Sequence, residues 1–177
     1  MKIALFGGTF DPIHKGHVEI IKRLFTDFKV DKVILIPTNI TYYKKNSAML
    51  SYNMRLELVK MALNQTSTLN GMNIEVSDIE RNIGPNEGFS STVIKYKNIY
   101  PNDELYTVIG MDSYNYIKTW IKYEGIIDNS NLIVVRRPGA SINKEYNIPY
   151  LELPLDMDVS STDIREELIS LILNKLK

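Results

Sequence analysis

Apolar runs and amphipathic stretches alternate along the first part of the chain. Residues 3–6 and 32–36 are dominated by apolar side chains, the pattern of buried strands. Between them, apolar residues recur at the spacing of one helix face: Val18, Ile21, Leu24, Phe25 and Phe28. A strand, a helix and a strand in this order predict a right-handed parallel unit at the start of the fold.

The same alternation continues along the rest of the chain. Further strands are predicted at residues 74–76, 105–109, 132–135 and 150–153, with the last at a sheet edge. Helices are predicted over residues 51–65, from Ser90 or Ser91 to residue 99, around residues 116–121, and after Ser160 or Ser161. We therefore predict one α/β domain over residues 1–177, Rossmann-like and doubly wound. Its mainly parallel sheet has five to six strands, with helices on both faces.

Two of these helices are expected to bury particular apolar faces. In the helix that Ser51 caps, the expected stripe consists of Met54, Leu58, Met61 and Ala62. Arg55, in the same helix, is interpreted as an exposed charge or as a partner of Glu57 or Asp78. In the last helix, the expected apolar face consists of Leu168, Ile169 and Ile172.

Composition excludes several classes of function. The 177 residues carry 21 basic and 21 acidic side chains, so the chain lacks the basic surplus of a nucleic-acid or membrane-surface binder. Cysteine is absent, which excludes disulfides, thiolate metal sites and thiol catalysis. The chain enters its first strand without a signal-peptide pattern, and no apolar run approaches membrane-spanning length. We therefore expect a cytoplasmic location.

The turn after the first strand concentrates the candidate chemistry. It contains Gly7, Gly8 and Thr9, followed by His14 and His17, the two histidines of the chain. Backbone N–H groups at a helix start have no intrahelical partner and lie at the positive end of the helix dipole, which favours phosphate. Glycines at such a turn are often turn formers only. Their combination with a hydroxyl and two histidines predicts a nucleotide or phosphate site.

Four other polar groups each allow two interpretations from the residues alone. Asp112, after Gly110 at a strand end, suits ribose hydroxyls or a helix N-cap. The pair Lys44–Lys45 and the pair Arg136–Arg137 suit phosphates or are solvated charges. The single tryptophan, Trp120, is a core residue or a surface for stacking a base.

Two runs resemble a known family. Residues 7–17, Gly-Gly-Thr-Phe-Asp-Pro-Ile-His-Lys-Gly-His, resemble the signature of the nucleotidyltransferases that carry His-x-Gly-His, and most closely the bacterial nicotinate mononucleotide adenylyltransferases. Residues 159–165, Val-Ser-Ser-Thr-Asp-Ile-Arg, resemble the superfamily's second signature, Ile-Ser-Ser-Thr-x-Ile-Arg, which holds ATP phosphates. The resemblance covers nearly the whole chain.

The resemblance implies roles for individual residues. It implies catalytic roles for His14, His17, Lys44 and Arg165. The same two histidines and Arg165 are expected to contact ATP, together with Gly7, Gly8, Thr9, Phe10, Gly16, Ser161 and Thr162. Contacts with the acceptor are expected from Thr92, Gly110, Asp112, Trp120 and Arg137.

The implied reaction is adenylyl transfer from ATP to nicotinate mononucleotide, with Mg²⁺ bridging phosphate oxygens and without a metal site built by the protein. Imidazoles protonated near neutral pH would help to offset phosphate charge. The chain differs from the family pattern at residues 41–43, at residues 88–92 and in a shorter carboxyl end. Another acceptor (nicotinamide mononucleotide or phosphopantetheine) and a regulatory nucleotide-binding module therefore stay open, as does a homo-oligomer.

Overall fold

Six parallel strands form one sheet in the computed structural model, which describes residues 1–40, 48–143 and 145–176, without the side chains of residues 171 and 172. The strands are β1 (Lys2–Gly8), β2 (Lys32–Pro37), β3 (Ile74–Val76), β4 (Glu104–Gly110), β5 (Asn131–Arg136) and β6 (Tyr150–Pro154). The helices are α1 (Lys15–Thr26), α2 (Tyr52–Gln65), α3 (Gly88–Ile99), α4 (Met111–Tyr116), α5 (Glu124–Ile127) and α6 (Ser161–Lys175). Short 3₁₀ turns lie at Ser67–Leu69 and Ile117–Thr119.

The strand order is β3-β2-β1-β4-β5-β6, and every adjacent pair is parallel. The order reverses between β1 and β4, so these two neighbouring strands send their following helices to different faces of the sheet. In open α/β sheets such a switch point, at the carboxyl ends of the strands, is where ligands bind. The predicted doubly wound sheet is confirmed, and β6 lies at an edge as expected.

Alternating side chains of β1 divide between two cores. Ala4 and Phe6 belong to the core that also contains residues of α1, whereas Ile3 and Leu5 belong to the core that contains residues of α3, α4 and α5. All four are buried. Because successive side chains of a strand point to opposite faces, an uninterrupted apolar run indicates a strand covered on both sides. This confirms helices on both faces.

Three sequence expectations about helices were wrong. Met54 and Met61 are 54% and 52% exposed, and α2 buries Arg55, Leu56 and Val59 instead of the expected stripe. In α6, Leu168 and Ile169 are 43% and 48% exposed because no other element covers these side chains in the part of the chain that the structure describes. The helix expected around residues 116–121 ends as α4 at Tyr116, since the 3₁₀ turn and an extended Trp120 follow.

Within the described ranges, no helix combines the length and apolar composition of a membrane span.

Candidate active site

The turn between β1 and α1 uses both imidazoles to begin the helix. His14 is the N-cap, and its Nδ1 accepts a hydrogen bond from the Gly16 N–H at 3.1 Å. The Nδ1 of His17 accepts from the His14 N–H, also at 3.1 Å. These reciprocal bonds form a capping box, here built from two histidines. Because each Nδ1 accepts, each neutral ring carries its proton on Nε2.

The two rings pack against each other, tilted, at the wall of the site. Their centroids lie 3.8 Å apart with an angle of 31° between the planes, and the edge of the Phe10 ring meets His17 at 4.9 Å. His14 is buried, and burial followed by the positive charge of Arg137 lowers its pKa from 6.5 to about 4. This direction is opposite to the expectation of an imidazole protonated near neutral pH.

The second signature is joined directly to the first. Ser160 caps α6 by accepting from the Asp163 N–H at 3.1 Å. Ser161 Oγ donates to the carbonyl of Pro12 at 2.8 Å, and Arg165 Nη1 donates to the carbonyl of Asp11 at 2.7 Å. The starts of α1 and α6 therefore meet at one place, although the sequence separates them by well over one hundred residues.

Two buried charged side chains, Asp11 and Arg55, stabilise this turn through hydrogen bonds to backbone groups. The sequence did not reveal these roles. The carboxylate of Asp11, 4% exposed, accepts from the backbone N–H groups of Met49 and Leu50 at 2.8 and 2.9 Å. Arg55, 2% exposed, donates to three backbone carbonyls, those of Thr9 at 2.6 Å, Thr38 at 2.9 Å and Leu50 at 3.2 Å. Its interpretation as an exposed charge was wrong. The feature of the sequence that could have indicated burial of Arg55 is its position beside Leu56 and Val59 on one face of the helix.

A cavity of about 530 Å³ opens at the carboxyl edge of the sheet, a size suited to a small ligand. Most of the expected site residues line it together. They are Gly7, Gly8, Thr9, Phe10, His14, His17, Gly110, Asp112, Trp120, Arg137, Ser161, Thr162 and Arg165. The structure thus brings the two signatures and most of the expected acceptor residues to a single cavity.

Two expected site residues do not line this cavity, and a third is not described. Gly16 is buried beneath it, and a Cβ there would lie 3.0 Å from the His14 ring and 3.0 Å from Val159. Thr92 is 1% exposed, and its hydroxyl donates to Glu80 at 3.0 Å, so a direct contact with the acceptor is not supported. Lys44, like Lys45 and the differing positions 41–43, lies outside the described residues.

The two arginines at the end of β5 have different surroundings, and each fits one of the two interpretations that the sequence allowed. Arg136 is exposed and forms an ion pair with Glu152 at 3.3 Å. Arg137 lines the cavity, and its Nη1 donates to the Val159 carbonyl at 2.9 Å. Only Arg137 is therefore placed to meet a bound anion.

Two further cavity residues, Glu80 and Phe89, were not identified from the sequence. The Glu80 carboxylate is buried and accepts from the Asn39 N–H at 3.1 Å as well as from Thr92. Burial raises the pKa of Glu80 above its ordinary value. Glu80 lies in the connection between β3 and α3, and Phe89 lies in the first turn of α3. The sequence predicts only a loop over residues 77–89, and nothing in its pattern shows which side chains turn inward.

Among the residues that the structure describes, no group of three or more His, Asp or Glu side chains is arranged to hold a metal ion. The polar groups of the cavity are instead imidazoles, guanidinium groups, hydroxyls and helix N-termini. This set suits the oxygens of a polyphosphate.

Comparisons with known proteins point to one family. Residues 5–167 match the family model described as cytidylyltransferase-like. The nicotinate-nucleotide adenylyltransferase of Bacillus subtilis is 33% identical, over 93% of this chain and 84% of that protein. The probable nicotinate-nucleotide adenylyltransferase of Clostridium tetani is 32% identical, over 94% and 86%.

A solved structure shares the fold at lower identity. The nicotinic acid mononucleotide adenylyltransferase of Plasmodium falciparum, complexed with NaAD, superposes with a TM-score of 0.75 at 18% identity, covering 93% of this chain and 82% of that one. At this identity the likeness shows the fold alone. With the family match and the bacterial relatives, it leads to one assignment. The chain belongs to the cytidylyltransferase-like family and, within it, to the nicotinate-nucleotide adenylyltransferases.

Proposed function

We propose that this chain transfers the adenylyl group of ATP to nicotinate mononucleotide, forming deamido-NAD and pyrophosphate. One observation carries the proposal: the starts of α1 and α6 meet at a cavity that both histidines, Arg137 and Arg165 line. Two helix N-termini and two guanidinium groups favour a polyphosphate. The acceptor follows from relatives that are named for nicotinate nucleotide.

The reaction needs alignment more than acid–base chemistry. An oxygen of the acceptor's 5′-phosphate attacks the α-phosphorus of ATP, forming one P–O bond. The bond from the α-phosphorus to the bridging oxygen breaks, and pyrophosphate leaves with that electron pair. Since the nucleophile is already an anion, the protein's work is to hold two polyanions in line and to stabilise the charge of the transition state.

The histidines supply fixed hydrogen-bond donors. We assign the Nε2–H of His17 to the α-phosphate in the transition state and that of His14 to the ATP phosphates. Both rings are oriented by bonds at Nδ1 before any ligand arrives, at 3.1 Å each. Prealigned donors cost no reorganisation during the reaction. The low pKa of His14, about 4, means that this ring is a neutral imidazole until a phosphate lies beside it.

The second signature and the first turn complete the ATP subsite. Arg165 binds phosphate through the N–H groups that its bonds to Asp11 and Thr162 leave available, and Ser161 and Thr162 contribute the start of α6. Lys44, whose position is not described, is assigned to the same phosphates. Mg²⁺ belongs to the proposal as an ion that ATP brings with it. Bound there, it would neutralise phosphate charge.

The opposite end of the cavity is assigned to the acceptor. Asp112, exposed in the first turn of α4, suits ribose hydroxyls, and Arg137 suits the acceptor's phosphate. Gly110 and Trp120 line the same cavity and are assigned to the acceptor as well. A cytoplasmic location, a single domain and the choice between monomer and homo-oligomer stay predictions from the sequence.

The test is pyrophosphate release from ATP and Mg²⁺ with three acceptors in parallel: nicotinate mononucleotide, nicotinamide mononucleotide and phosphopantetheine. Release with the first alone supports the proposal. Pyrophosphate release with only one of the other two acceptors would change the acceptor in the proposal but leave adenylyl transfer as the reaction. ATP binding without release in any arm would favour the regulatory module.

A further inference from the structure

The carboxylate of Glu80 joins two elements at the wall of the cavity. Its Oε2 accepts a hydrogen bond of 3.1 Å from the Asn39 N–H, two residues after β2. Its Oε1 accepts one of 3.0 Å from the Thr92 hydroxyl in α3. Glu80 and Thr92 are 2% and 1% exposed, so water competes little for the bond between them. Each oxygen of this carboxylate therefore holds a different part of the fold.

The segment that contains Asn39 is also fixed to the turn between β1 and α1. The Thr38 N–H donates to the Gly8 carbonyl at 2.9 Å. Arg55 Nη1 donates to the carbonyls of both Thr38 and Thr9, at 2.9 and 2.6 Å. The end of β2 therefore connects the Glu80 carboxylate to the turn that carries the two histidines.

The helix at the other end of the Glu80 bridge contacts the same turn directly. A Cβ built on Gly7 would lie 2.5 Å from Cζ of Phe89, in the first turn of α3, a distance that real Cβ atoms do not reach. Thr92, which bonds Glu80, lies about one helical turn after Phe89. A shift of α3 would therefore move one wall of the cavity relative to the turn between β1 and α1.

Charge alone does not account for a carboxylate at this position. Burial raises the pKa of Glu80, and its bonds to Asn39 and Thr92 and the positive charges of Lys95 and Arg55 offset this only in part. A hydrocarbon side chain of similar length would avoid the cost of burying a charge. It would leave the Asn39 N–H without this acceptor and would separate the two elements.

We infer that Glu80 is a positioning residue: by bonding Asn39 and Thr92 it sets the place of α3 relative to the turn between β1 and α1, and so aligns the two bound substrates for in-line attack. The inference rests on the proposed function, because it requires two substrates in this cavity. Loss of the bridge leaves the groups that bind each substrate present but changes their relative placement. Such a change lowers kcat more than it alters either KM.

The experiment compares E80M, which removes both acceptor oxygens, with E80Q, which keeps the bridge. In E80Q the amide oxygen accepts from the Asn39 N–H, and the amide nitrogen donates to the Thr92 hydroxyl. T92V removes only the end of the bridge in α3, whereas T92S retains the hydroxyl, so the test does not depend on the folding of E80M. The kcat and the KM values for ATP and nicotinate mononucleotide are measured for each variant, beside urea unfolding.

The expected result for E80M is a kcat lowered about tenfold or more, since a misplacement of about 1 Å can cost about 10²-fold. Both KM values should change less than about threefold, and E80Q and T92S should be close to the wild type. T92V should lose part of kcat, and E80M/T92V should be no slower than E80M, because both residues act through one bond. E57M is the control, since Glu57 is exposed, pairs with Lys60 and does not line the cavity.

Three results would overturn the inference. A normal kcat in folded E80M and T92V would show that the bridge does not align the substrates. Equal losses in E80Q and E80M would show that the charge of Glu80 matters rather than the bridge. A loss confined to one KM would make Glu80 part of a binding surface only. A wild-type chain that is inactive with every acceptor would instead contradict the proposed function, so the two failures are distinguishable.

Discussion

Arg165 donates a hydrogen bond of 2.7 Å to the backbone carbonyl of Asp11, across a separation of 154 residues. The same Nη1 lies 3.6 Å from the Asp11 carboxylate. The arginine of the second signature is thus fixed against the turn of the first. An arginine held by its own protein loses less side-chain entropy when it binds phosphate.

Replacing this arginine by lysine should weaken ATP specifically. R165K keeps the charge but loses the planar group that bonds both Asp11 and Thr162. We expect the KM for ATP to rise about tenfold or more, with the acceptor's KM changed far less. R136K is the matched control, because Arg136 is an exposed partner of Glu152. Steady-state kinetics with each substrate varied checks this, and equal KM values for R165K and the wild type would contradict it.

Removing only the Nε2–H of His17 should abolish most turnover without unfolding the site. In H17N, the amide oxygen can replace Nδ1 as acceptor of the His14 N–H, so the cap is retained. Loss of one prealigned donor to a transition-state oxyanion costs about 10²–10³ in kcat.

H17A removes the donor and the cap together, so it separates the two roles. It should lose a comparable factor in turnover and about 1 kcal/mol of stability in addition. Thermal unfolding of both variants, beside their kcat values, measures this. An H17N variant with near-normal turnover would exclude the catalytic role.

The buried guanidinium of Arg55 should be important for stability. R55M leaves the carbonyls of Thr9, Thr38 and Leu50 without this donor, which we expect to cost about 2–4 kcal/mol. R81M is the matched control, since both arginines lie 5.6 Å from the Tyr52 ring but Arg81 is exposed. Its cost should stay below about 1 kcal/mol. Urea unfolding compares them, and equal costs would show that the three carbonyls do not depend on Arg55.

His14 should make the fold less stable in acid. Its pKa is about 4 when folded, against an ordinary 6.5, so between these values the unfolded chain binds more protons. The contribution of this group to the free energy of unfolding is fully present above pH 6.5. It decreases as the pH falls towards 4, by about 3 kcal/mol in all. Glu80, with a raised pKa, acts in the opposite direction.

The variant H14N isolates this effect. Its amide oxygen can keep the bond to the Gly16 N–H, but the side chain does not titrate. The difference in unfolding free energy between wild type and H14N should therefore change between pH 6.5 and 4. A difference that is constant over this range would contradict the neutral, buried state of His14.

The fold was predictable because its central strands are covered on both faces. Residues such as Ile3, Leu5, Val33 and Ile34 are all buried, so the chain carries uninterrupted apolar runs where it forms strands. The glycines and histidines of the first turn were predictable for a similar reason. They follow a strand directly, and local sequence decides the turn.

What the sequence could not show depends on contacts between distant segments. Arg55 is buried where the carbonyls of Thr9, Thr38 and Leu50 converge on it, and only Leu50 is near it in the sequence. The low pKa of His14 likewise arises from burial and from Arg137, more than one hundred residues away. Phe89 escaped notice because its ring meets Gly7 only after α3 packs on the sheet.

The most direct test of the central claim follows the label from ATP into the product. The chain is incubated with Mg²⁺, nicotinate mononucleotide and ATP labelled at either the α- or the γ-phosphate. We predict that the α-label appears in deamido-NAD and the γ-label in pyrophosphate. Loss of the γ-label as inorganic phosphate, or an α-label that stays in AMP with no dinucleotide formed, would contradict adenylyl transfer to this acceptor.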